Sequence, residues 1–291
     1  MVTKAVIPVA GFGTRFLPAS KAVPKEMFPI IDKPIIQLLV EDLCHAGITD
    51  ILFILPKEGK ESIITHFTPS ERMNKELTKQ NKQYLLDILN KIENLANFHF
   101  VHEENPKNML KSVFCGKNFF NKEPFLMMVG DGFVYNNKKN SFQQLIEAYS
   151  KTGATIIGAK QVKKQDVSRY GIIKPNTSDN LTPIEFFVEK PKIEEAPSRL
   201  ASVGQYLITP DFVKHVEKYV KETGNYPDVA DVCRIMAKEK VPSHVLNLKG
   251  TFYDTGNKID YLKTCIEAGL RDEEVSNELK SYIKQLAKKI K

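Results

Sequence analysis

The chain has 291 residues, of which 42% are apolar and 26% charged, and this ordinary composition excludes a disordered or collagen-like protein. No apolar run approaches the roughly 18 residues of a membrane-spanning helix, and four scattered cysteines without a C-x-x-C pair argue against disulfides and zinc. The net charge of +7 permits nucleic acid, an anionic membrane or a polyanionic small molecule as partner.

Short apolar runs rich in β-branched residues alternate with longer amphipathic runs through the first half of the chain. Strands are predicted at 5–10, 51–55, 98–102 and 125–129, and helices at 35–46, 62–67, 110–119 and 142–151. The polar stretch 70–97 predicts an inserted helix rather than a linker. Because strands and helices alternate in this way in α/β proteins, we expect a mostly parallel central sheet with helices on both faces.

The second half of the chain has denser strands and turn-rich connections. Strands are predicted at 156–159, 171–174, 184–189 and 203–208, a helix after Thr209, a short strand pair within 244–254 and helices from Asn257 onward. No internal repeat or low-complexity linker divides the chain. We therefore expect a single domain over 1–291, with a nucleotide-binding half at about 1–150 and an elaborated half at about 151–291.

Much of the positive charge lies in the C-terminal stretch KSYIKQLAKKIK. Its apolar residues recur at helical spacing with lysines on the other face, which favours a docked helix with a solvated side over a membrane or nucleic-acid element. We therefore expect neither nucleic acid nor a membrane as partner. The N-terminus enters a predicted strand without a signal-peptide pattern, so we expect a cytoplasmic protein.

A glycine-rich loop, in the stretch AGFGTRF, follows the first predicted strand directly. Exposed backbone N–H groups beside Arg15 are typical of a phosphate-binding loop. The loop is not the dinucleotide fingerprint, because Phe16 stands where the third glycine belongs, and it lacks the Gly-Lys-Ser/Thr ending of a P-loop. The proline-rich continuation adds Lys21 and Lys25. We expect this segment to bind the phosphates of a ligand.

Two aspartates, Asp131 in FLMMVGDG and Asp254 in TFYDTG, follow predicted strands and lie beside glycine. Aspartates in such positions are often plain turn residues. However, Mg²⁺ is commonly held by one or two carboxylates together with substrate phosphates. With a phosphate loop at the same edge of the sheet, we favour a magnesium site.

The stretch FFVEKP places Glu189 and Lys190 at the end of a predicted strand. Neighbouring side chains on a strand point to opposite faces, and the two residues could simply form an exposed ion pair. A twist at the strand end would instead let Glu189 accept from sugar hydroxyls while Lys190 binds a phosphate. Gly171, in RYGIIKP, would let the backbone approach a flat ligand such as a sugar ring.

These motifs together resemble the bacterial UTP:glucose-1-phosphate uridylyltransferases, or UDP-glucose pyrophosphorylases. The resemblance is carried by AGFGTRFLPASKAVPKEMFPIIDKP, VEKP, APSRLASVGQYLITPDFV and YDTGNKIDY, which match in order and spacing over nearly the whole chain. It implies a Rossmann-like nucleotidyltransferase fold with a sugar-binding half, and a homodimer or homotetramer. It also implies formation of UDP-glucose and pyrophosphate from UTP and glucose 1-phosphate, with Mg²⁺ as cofactor.

The resemblance also implies roles for individual residues. The nucleotide would contact Ala10, Gly11, Gly13, Thr14, Arg15, Lys25, Glu26, Glu103 and Asp131. The glucosyl phosphate would contact Gly171, Glu189, Lys190, Val203 and Gly204. Asp131 and Asp254 would share the metal, and Arg15, Lys25 and Lys190 would act in catalysis by stabilising charge.

The chain departs from the family in the segment that reads uracil. Glu103 stands for the family's glutamine, and Asn108, Met109 and Leu110 stand in its glycine-rich segment. A carboxylate only accepts hydrogen bonds, so Glu103 would face uracil O4 unfavourably, and the larger side chains would fill space left for the base. A second departure is GNYPDVADV at 224–232.

These departures leave two alternatives open beside the uridylyltransferase. The first is a sugar-phosphate nucleotidyltransferase with a changed base preference, because a carboxylate can accept from an amino group such as cytosine N4. The second is a catalytically weak paralogue that acts as a regulatory subunit.

Overall fold

The computed structural model describes residues 1–106, 108–120 and 122–290. The strands are β1 (Lys4–Pro8), β2 (Pro29–Ile30), β3 (Lys33–Pro34), β4 (Asp50–Pro56), β5 (Asn97–Glu103), β6 (Phe125–Met128), β7 (Gly132–Tyr135), β8 (Thr155–Gln161), β9 (Gly171–Pro175), β10 (Leu181–Glu189), β11 (Leu200–Ile208), β12 (Ser243–Asn247) and β13 (Thr251–Asp254). The helices are α1 (Ile35–His45), α2 (Glu61–Phe67), α3 (Glu71–Lys79), α4 (Gln83–Glu93), α5 (Met109–Cys115), α6 (Lys117–Phe120), α7 (Ser141–Thr152), α8 (Pro210–Thr223), α9 (Val229–Lys238), α10 (Lys258–Gly269) and α11 (Ser276–Ala287).

The central sheet has the strand order β5-β4-β1-β6-β11-β8-β12-β10-β9. The strands β5, β4, β1 and β6 are parallel, as the alternating pattern predicts. The α/β class is therefore confirmed, but beyond β6 most pairings are antiparallel and the sheet is mixed. The connection from β9 to β10 is too short for a crossover helix, so these strands can pair only as a hairpin.

The two strands predicted within 244–254 form, but they do not pair with each other. The strand β12 runs parallel to β8 in the central sheet, whereas β13 pairs with β7 in a separate two-stranded sheet. The chain changes layer at Gly250, whose φ of +123° favours glycine. A side chain there would also lie 2.4 Å from the carbonyl oxygen of Tyr135.

Two apolar clusters pack on the two faces of the central sheet. One contains Leu39 of α1 and Phe142 of α7, and the other contains Leu110 of α5 and Phe212 of α8. Helices on both faces leave only the strand ends open to a ligand. The carboxyl ends of β1, β4, β5 and β6 therefore form the edge from which the phosphate loop emerges.

The insertion at 70–97 and the C-terminal helix both lie at the surface of the fold. The insertion at 70–97 forms two helices, α3 and α4, and none of their residues is fully buried. The C-terminal helix α11 also has no fully buried residue, although Leu279 lies close against Gly269 at the end of α10. Among the described residues, no helix is both long enough and apolar enough to span a membrane.

Candidate active site

Two cavities lie at the carboxyl edge of the sheet and meet at Asp131. The first, of about 270 Å³, we call the loop cavity; its walls include Ala10, Gly11, Lys25, Glu26 and Asp131. The second, of about 260 Å³, we call the sheet cavity; its walls include Arg15, Asp131, Gly171, Glu189, Lys190, Val203, Gly204 and Asp254. A separate cavity of about 460 Å³ near α7 is lined mainly by lysines and amides and contains none of the predicted site residues. The structure thus collects most of the predicted residues around one shared carboxylate.

A hydrogen bond from Ser20 holds the glycine loop at Gly13. Gly13 has a φ of +63°, and its carbonyl oxygen accepts from Ser20 Oγ at 2.8 Å. A side chain at Gly11 would meet no described residue within 4 Å, so its backbone faces open space. Gly13 and Thr14 lie beside the cavity walls rather than in them, while exposed Arg15 lies in the wall of the sheet cavity.

Lys25 forms an ion pair with Asp131 Oδ2 at the junction of the two cavities. Burial alone would lower the pKa of Lys25, but the carboxylates of Asp131 and Glu26 outweigh it and raise the pKa. Lys25 therefore remains an ammonium group. It can neutralise a phosphate that enters either cavity.

Glu26 is almost completely buried, with 2% of its surface exposed, and it accepts a 2.7 Å hydrogen bond from Lys60 Nζ. A side chain at Gly130 would lie 2.9 Å from Glu26 Cγ, so this carboxylate packs directly under the backbone that leads to Asp131. The sequence prediction missed Lys60, because a lysine in the polar stretch PKEGKES is typical of an exposed surface. The buried Lys60–Glu26 pair therefore packs beneath the backbone that leads to Asp131.

Asp131 and Asp254 converge, as the sequence predicts for strand-end carboxylates. The pairing of β7 with β13 brings them together, and they approach each other across Gly256. A side chain at Gly256 would lie 2.8 Å from Asp131 Oδ2 and 3.0 Å from Asp254 Oδ1, so only glycine leaves this space open. No cluster of three or more metal-binding side chains occurs in the described part of the chain. The two oxygens suit a divalent cation that takes its other ligands from phosphates and water.

Asp254 has two partners that the sequence prediction missed. Its Oδ2 accepts from Arg169 Nη2 at 2.6 Å and from Tyr170 Oη at 2.7 Å. Burial and the neighbouring Asp254 carboxylate raise the pKa of Tyr170, which therefore stays a neutral donor. The sequence signal that could have pointed to Arg169 and Tyr170 is their position directly before Gly171 in RYGIIKP.

The Glu189–Lys190 pair has both a turn at the strand end and the ion pair that the sequence allows, while its contacts to a sugar phosphate stay a prediction. Lys190 has a φ of +44°, which turns the chain at the end of β10, and both side chains reach the sheet cavity. They also form a half-exposed ion pair of 2.9 Å. A side chain at Gly171 would lie 2.7 Å from Glu189 Oε2, so this glycine makes room for the carboxylate.

A bulge in β11 forms the floor of the sheet cavity. The register shifts between Ser202 and Tyr206, and Gly204 has a φ of +71°. A side chain at Gly204 would lie 2.4 Å from Val129 Cγ2. The bulge thus exposes the backbone of Val203 and Gly204 to the cavity, at positions where the resemblance implies sugar-phosphate contacts.

The segment 102–116 stands where the family has its uracil-binding segment, and only some of its residues line the loop cavity. Glu103 is 3% exposed, and neither carboxylate oxygen has a hydrogen-bond partner among the described residues. Met109 lines the loop cavity, but the expectation that Leu110 fills the base space is wrong. Leu110 points the other way and packs in the core against β1 and β4, because it lies one position further round α5. Lys107 lies outside the described residues.

The two segments that depart from the family contact each other. Asn108 caps α5, and its side-chain amide donates to the carbonyl oxygens of Tyr226 and Pro227, each at 3.2 Å. The rings of Phe114 and Tyr226 also meet edge to face, 5.7 Å apart. The two segments whose sequence departs from the family, 102–116 and 224–232, are therefore in direct contact with each other.

Comparison with known proteins gives a consistent result. Residues 4–268 match the family described as "Nucleotidyl transferase". The chain is 38% identical to a "UTP--glucose-1-phosphate uridylyltransferase" of Staphylococcus epidermidis over 98% of each chain. It is 37% identical to the one of Bacillus subtilis, over 99% of this chain and 98% of the relative. Among solved structures, a UTP-bound UGPase from Acinetobacter baumannii matches with a TM-score of 0.86 at 29% identity, over 100% of both chains. A UDP-glucose pyrophosphorylase complexed with UDP-glucose matches with a TM-score of 0.82 at 30% identity, over 94% of this chain and 100% of that chain.

Proposed function

The chain belongs to the nucleotidyl transferase family, among the UTP–glucose-1-phosphate uridylyltransferases, and from that premise we propose how its residues make UDP-glucose. A phosphate oxygen of glucose 1-phosphate attacks the α-phosphorus of UTP. The new phosphorus–oxygen bond forms as the bond to the β-phosphate oxygen breaks, and pyrophosphate leaves with the electron pair. A sugar phosphate is largely dianionic at neutral pH, because its second pKa is about 6, so no general base is required.

The two cavities hold the two substrates in this proposal. The triphosphate lies along the glycine loop, with Arg15 and Lys25 stabilising the charge that develops as pyrophosphate leaves. The sugar phosphate occupies the sheet cavity, where Lys190 binds its phosphate and Glu189 accepts from sugar hydroxyls. This placement of the substrates is supported by Asp131, which lies in the walls of both cavities. The two reacting phosphates would meet beside it.

We propose that Asp131 Oδ2 and Asp254 Oδ1 hold Mg²⁺. The support is their shared approach to the space above Gly256. A bound Mg²⁺ would neutralise and align the substrate phosphates. Because Lys25 contacts the same Asp131 oxygen, its ammonium group also limits repulsion between the two carboxylates.

The observation that carries the function is the convergence of a phosphate loop, Lys25, two carboxylates and Glu189–Lys190 on one junction. The test is pyrophosphate release by the purified protein with Mg²⁺ and glucose 1-phosphate, offered UTP, dTTP, CTP, ATP and GTP separately. Turnover chiefly with UTP supports the proposal. Preference for another nucleotide would overturn the substrate, and no turnover with any would favour the regulatory paralogue.

A changed base preference is the second candidate, and the buried Glu103 favours it. A carboxylate with no partner in the described part of the chain is costly to bury, so Glu103 calls for a donor from a ligand or a neighbouring loop. The amino group of cytosine N4 is such a donor. The CTP arm of the same assay tests this candidate directly.

We further propose that the protein forms a homodimer or homotetramer through its two C-terminal helices. The helix α10 exposes Ile259, Leu262 and Ile266 at spacings that put them on one face, and α11 exposes Tyr282 and Leu286. Exposed apolar patches of this kind are typical of interaction sites.

The double substitution Leu262→Asp with Ile266→Asp is expected to give a monomer, measured by light scattering after size-exclusion chromatography. Exposed Lys263→Ser on the same helix serves as control and should keep the wild-type mass. A wild-type protein that is monomeric at tens of micromolar, or a doubly substituted protein of unchanged mass, would contradict this interface.

A further inference from the structure

The two oxygens of the Asp254 carboxylate have different surroundings. Oδ2 accepts from Arg169 Nη2 at 2.6 Å and from Tyr170 Oη at 2.7 Å. Oδ1 accepts only the backbone N–H of Gly256 at 3.0 Å, among the hydrogen bonds of the described residues. It is Oδ1 that faces Asp131 Oδ2 across Gly256. One oxygen is thus fully engaged by side chains, and the other is directed toward the point where the two carboxylates meet.

Arg169 is itself held from several sides. It ends the 3₁₀ turn Lys164–Arg169, and its two terminal nitrogens reach different carboxylates: Nη1 lies 3.5 Å from Asp166, and Nη2 lies 3.5 Å from Asp260 as well as near Asp254. Its guanidinium carbon lies 5.3 Å from the centre of the Tyr170 ring. Only a planar group with several donors can hold such an arrangement, and a lysine cannot.

Tyr170 is anchored independently of its hydroxyl group. Its carbonyl oxygen accepts from the N–H of Lys190 at 3.1 Å, and its ring packs edge to face on Phe252, 6.2 Å away. The hydroxyl group therefore projects from a fixed ring. Because Phe252 precedes Asp254 on β13 by two residues, ring and carboxylate lie on the same side of that strand.

We propose that Arg169 and Tyr170 are positioning residues that fix the rotation of the Asp254 carboxylate, so that Oδ1 alone is presented to the metal. This inference rests on the proposed metal site. In this proposal neither Arg169 nor Tyr170 would be a ligand of the metal. They act through Asp254, in the way that hydrogen-bonded neighbours orient metal-binding carboxylates elsewhere, where their loss typically weakens metal affinity about 10- to 100-fold.

The competing role for Arg169 is direct binding of a substrate phosphate, because its side chain also lines the sheet cavity. The two roles predict opposite effects on a bare cation. A guanidinium that only adds positive charge repels the metal, so its removal would tighten metal binding. A guanidinium that orients Asp254 helps the metal, so its removal would weaken binding.

The test is a titration of the full-length protein with Mn²⁺ alone, with free Mn²⁺ measured by its electron paramagnetic resonance signal. Tyr170→Phe keeps the ring and the charge, and it is expected to raise the Kd for Mn²⁺ about tenfold. Arg169→Met is expected to raise it about 10- to 100-fold, with Arg169→Lys in between. Arg234→Met, which removes an arginine paired with a carboxylate on α9, is the control and should leave the Kd unchanged. Far-UV circular dichroism and thermal midpoints establish that each variant is folded.

Asp254→Asn separates the inference from the metal site on which it rests. If Asp254→Asn weakens Mn²⁺ binding while Tyr170→Phe and Arg169→Met do not, the positioning role is wrong and the metal site stands. Tighter binding in Arg169→Met together with a higher KM for glucose 1-phosphate would also overturn it, in favour of direct phosphate binding. If Asp254→Asn itself leaves Mn²⁺ binding unchanged, the metal site and the inference both fail.

Discussion

The substitution Lys25→Ala is expected to lower kcat for pyrophosphate release from UTP and glucose 1-phosphate at least about a hundredfold. The ammonium group of Lys25 lies at the junction of the two cavities, where it contacts Asp131. Its loss removes a cation from the reacting phosphates and leaves Asp131 to repel them. Because this charge matters most as pyrophosphate leaves, kcat should fall more than the KM for UTP rises.

Two further variants show whether the loss of activity in Lys25→Ala comes from the missing charge or from the specific position of Lys25. Lys25→Arg keeps the charge but not the shape, and it should recover only part of the activity. Lys33→Ala is a matched control, because Lys33 also pairs with a carboxylate, Glu41 at 2.9 Å, but lies outside both cavities. Turnover in Lys25→Ala equal to that of Lys33→Ala would exclude the assigned role.

The substitution Glu103→Gln is expected to improve the use of UTP, lowering its KM roughly fivefold to 150-fold, as about 1–3 kcal/mol of restored pairing would give. Glutamine can both donate to uracil O4 and accept from its N3–H, whereas a carboxylate can only accept. The substitution also removes the cost of burying a carboxylate that has no partner within 1–106, 108–120 and 122–290. The measurement is kcat/KM for UTP and for CTP in parallel.

Glu104→Gln is the control for Glu103→Gln, because Glu104 is the exposed neighbour and loses the same charge. If Glu103→Gln instead lowers activity with UTP, Glu103 contributes to the present pocket through a contact of its own. A gain for UTP with a matching loss for CTP would show that this position selects the base.

The parts of the site that could be predicted from the sequence depend on local signals. The glycine loop follows an apolar strand, and Asp131 and Asp254 each end a strand beside glycine. The place of each aspartate at a strand end required no knowledge of distant contacts. Their meeting, however, depends on the antiparallel pairing of β7 with β13, which the sequence did not predict. The first four central strands were predictable from local signals, since each alternates with an amphipathic helix.

The parts that could not be predicted depend on contacts between distant residues. Lys60 pairs with Glu26 across 34 positions, and Arg169 reaches Asp254 across 85. Neither lies in a pattern that distinguishes it from a surface residue. The burial of Leu110 in the core was missed because matching this residue to a position of the family's segment does not reveal which way a helical side chain faces. The layer change at Gly250 was missed because two short strands separated by a turn are also typical of a hairpin.

The bridge from Asn108 to the carbonyl groups of Tyr226 and Pro227 has a consequence for inheritance and for engineering. Two stretches that are more than a hundred positions apart are held by one amide side chain, so a change in either alters the fit of the other. During evolution, a substitution in one stretch would then favour a compensating substitution in the other. A chimera that received a glycine at position 108 alone would leave two carbonyl groups without their donor, so both stretches need to be exchanged together.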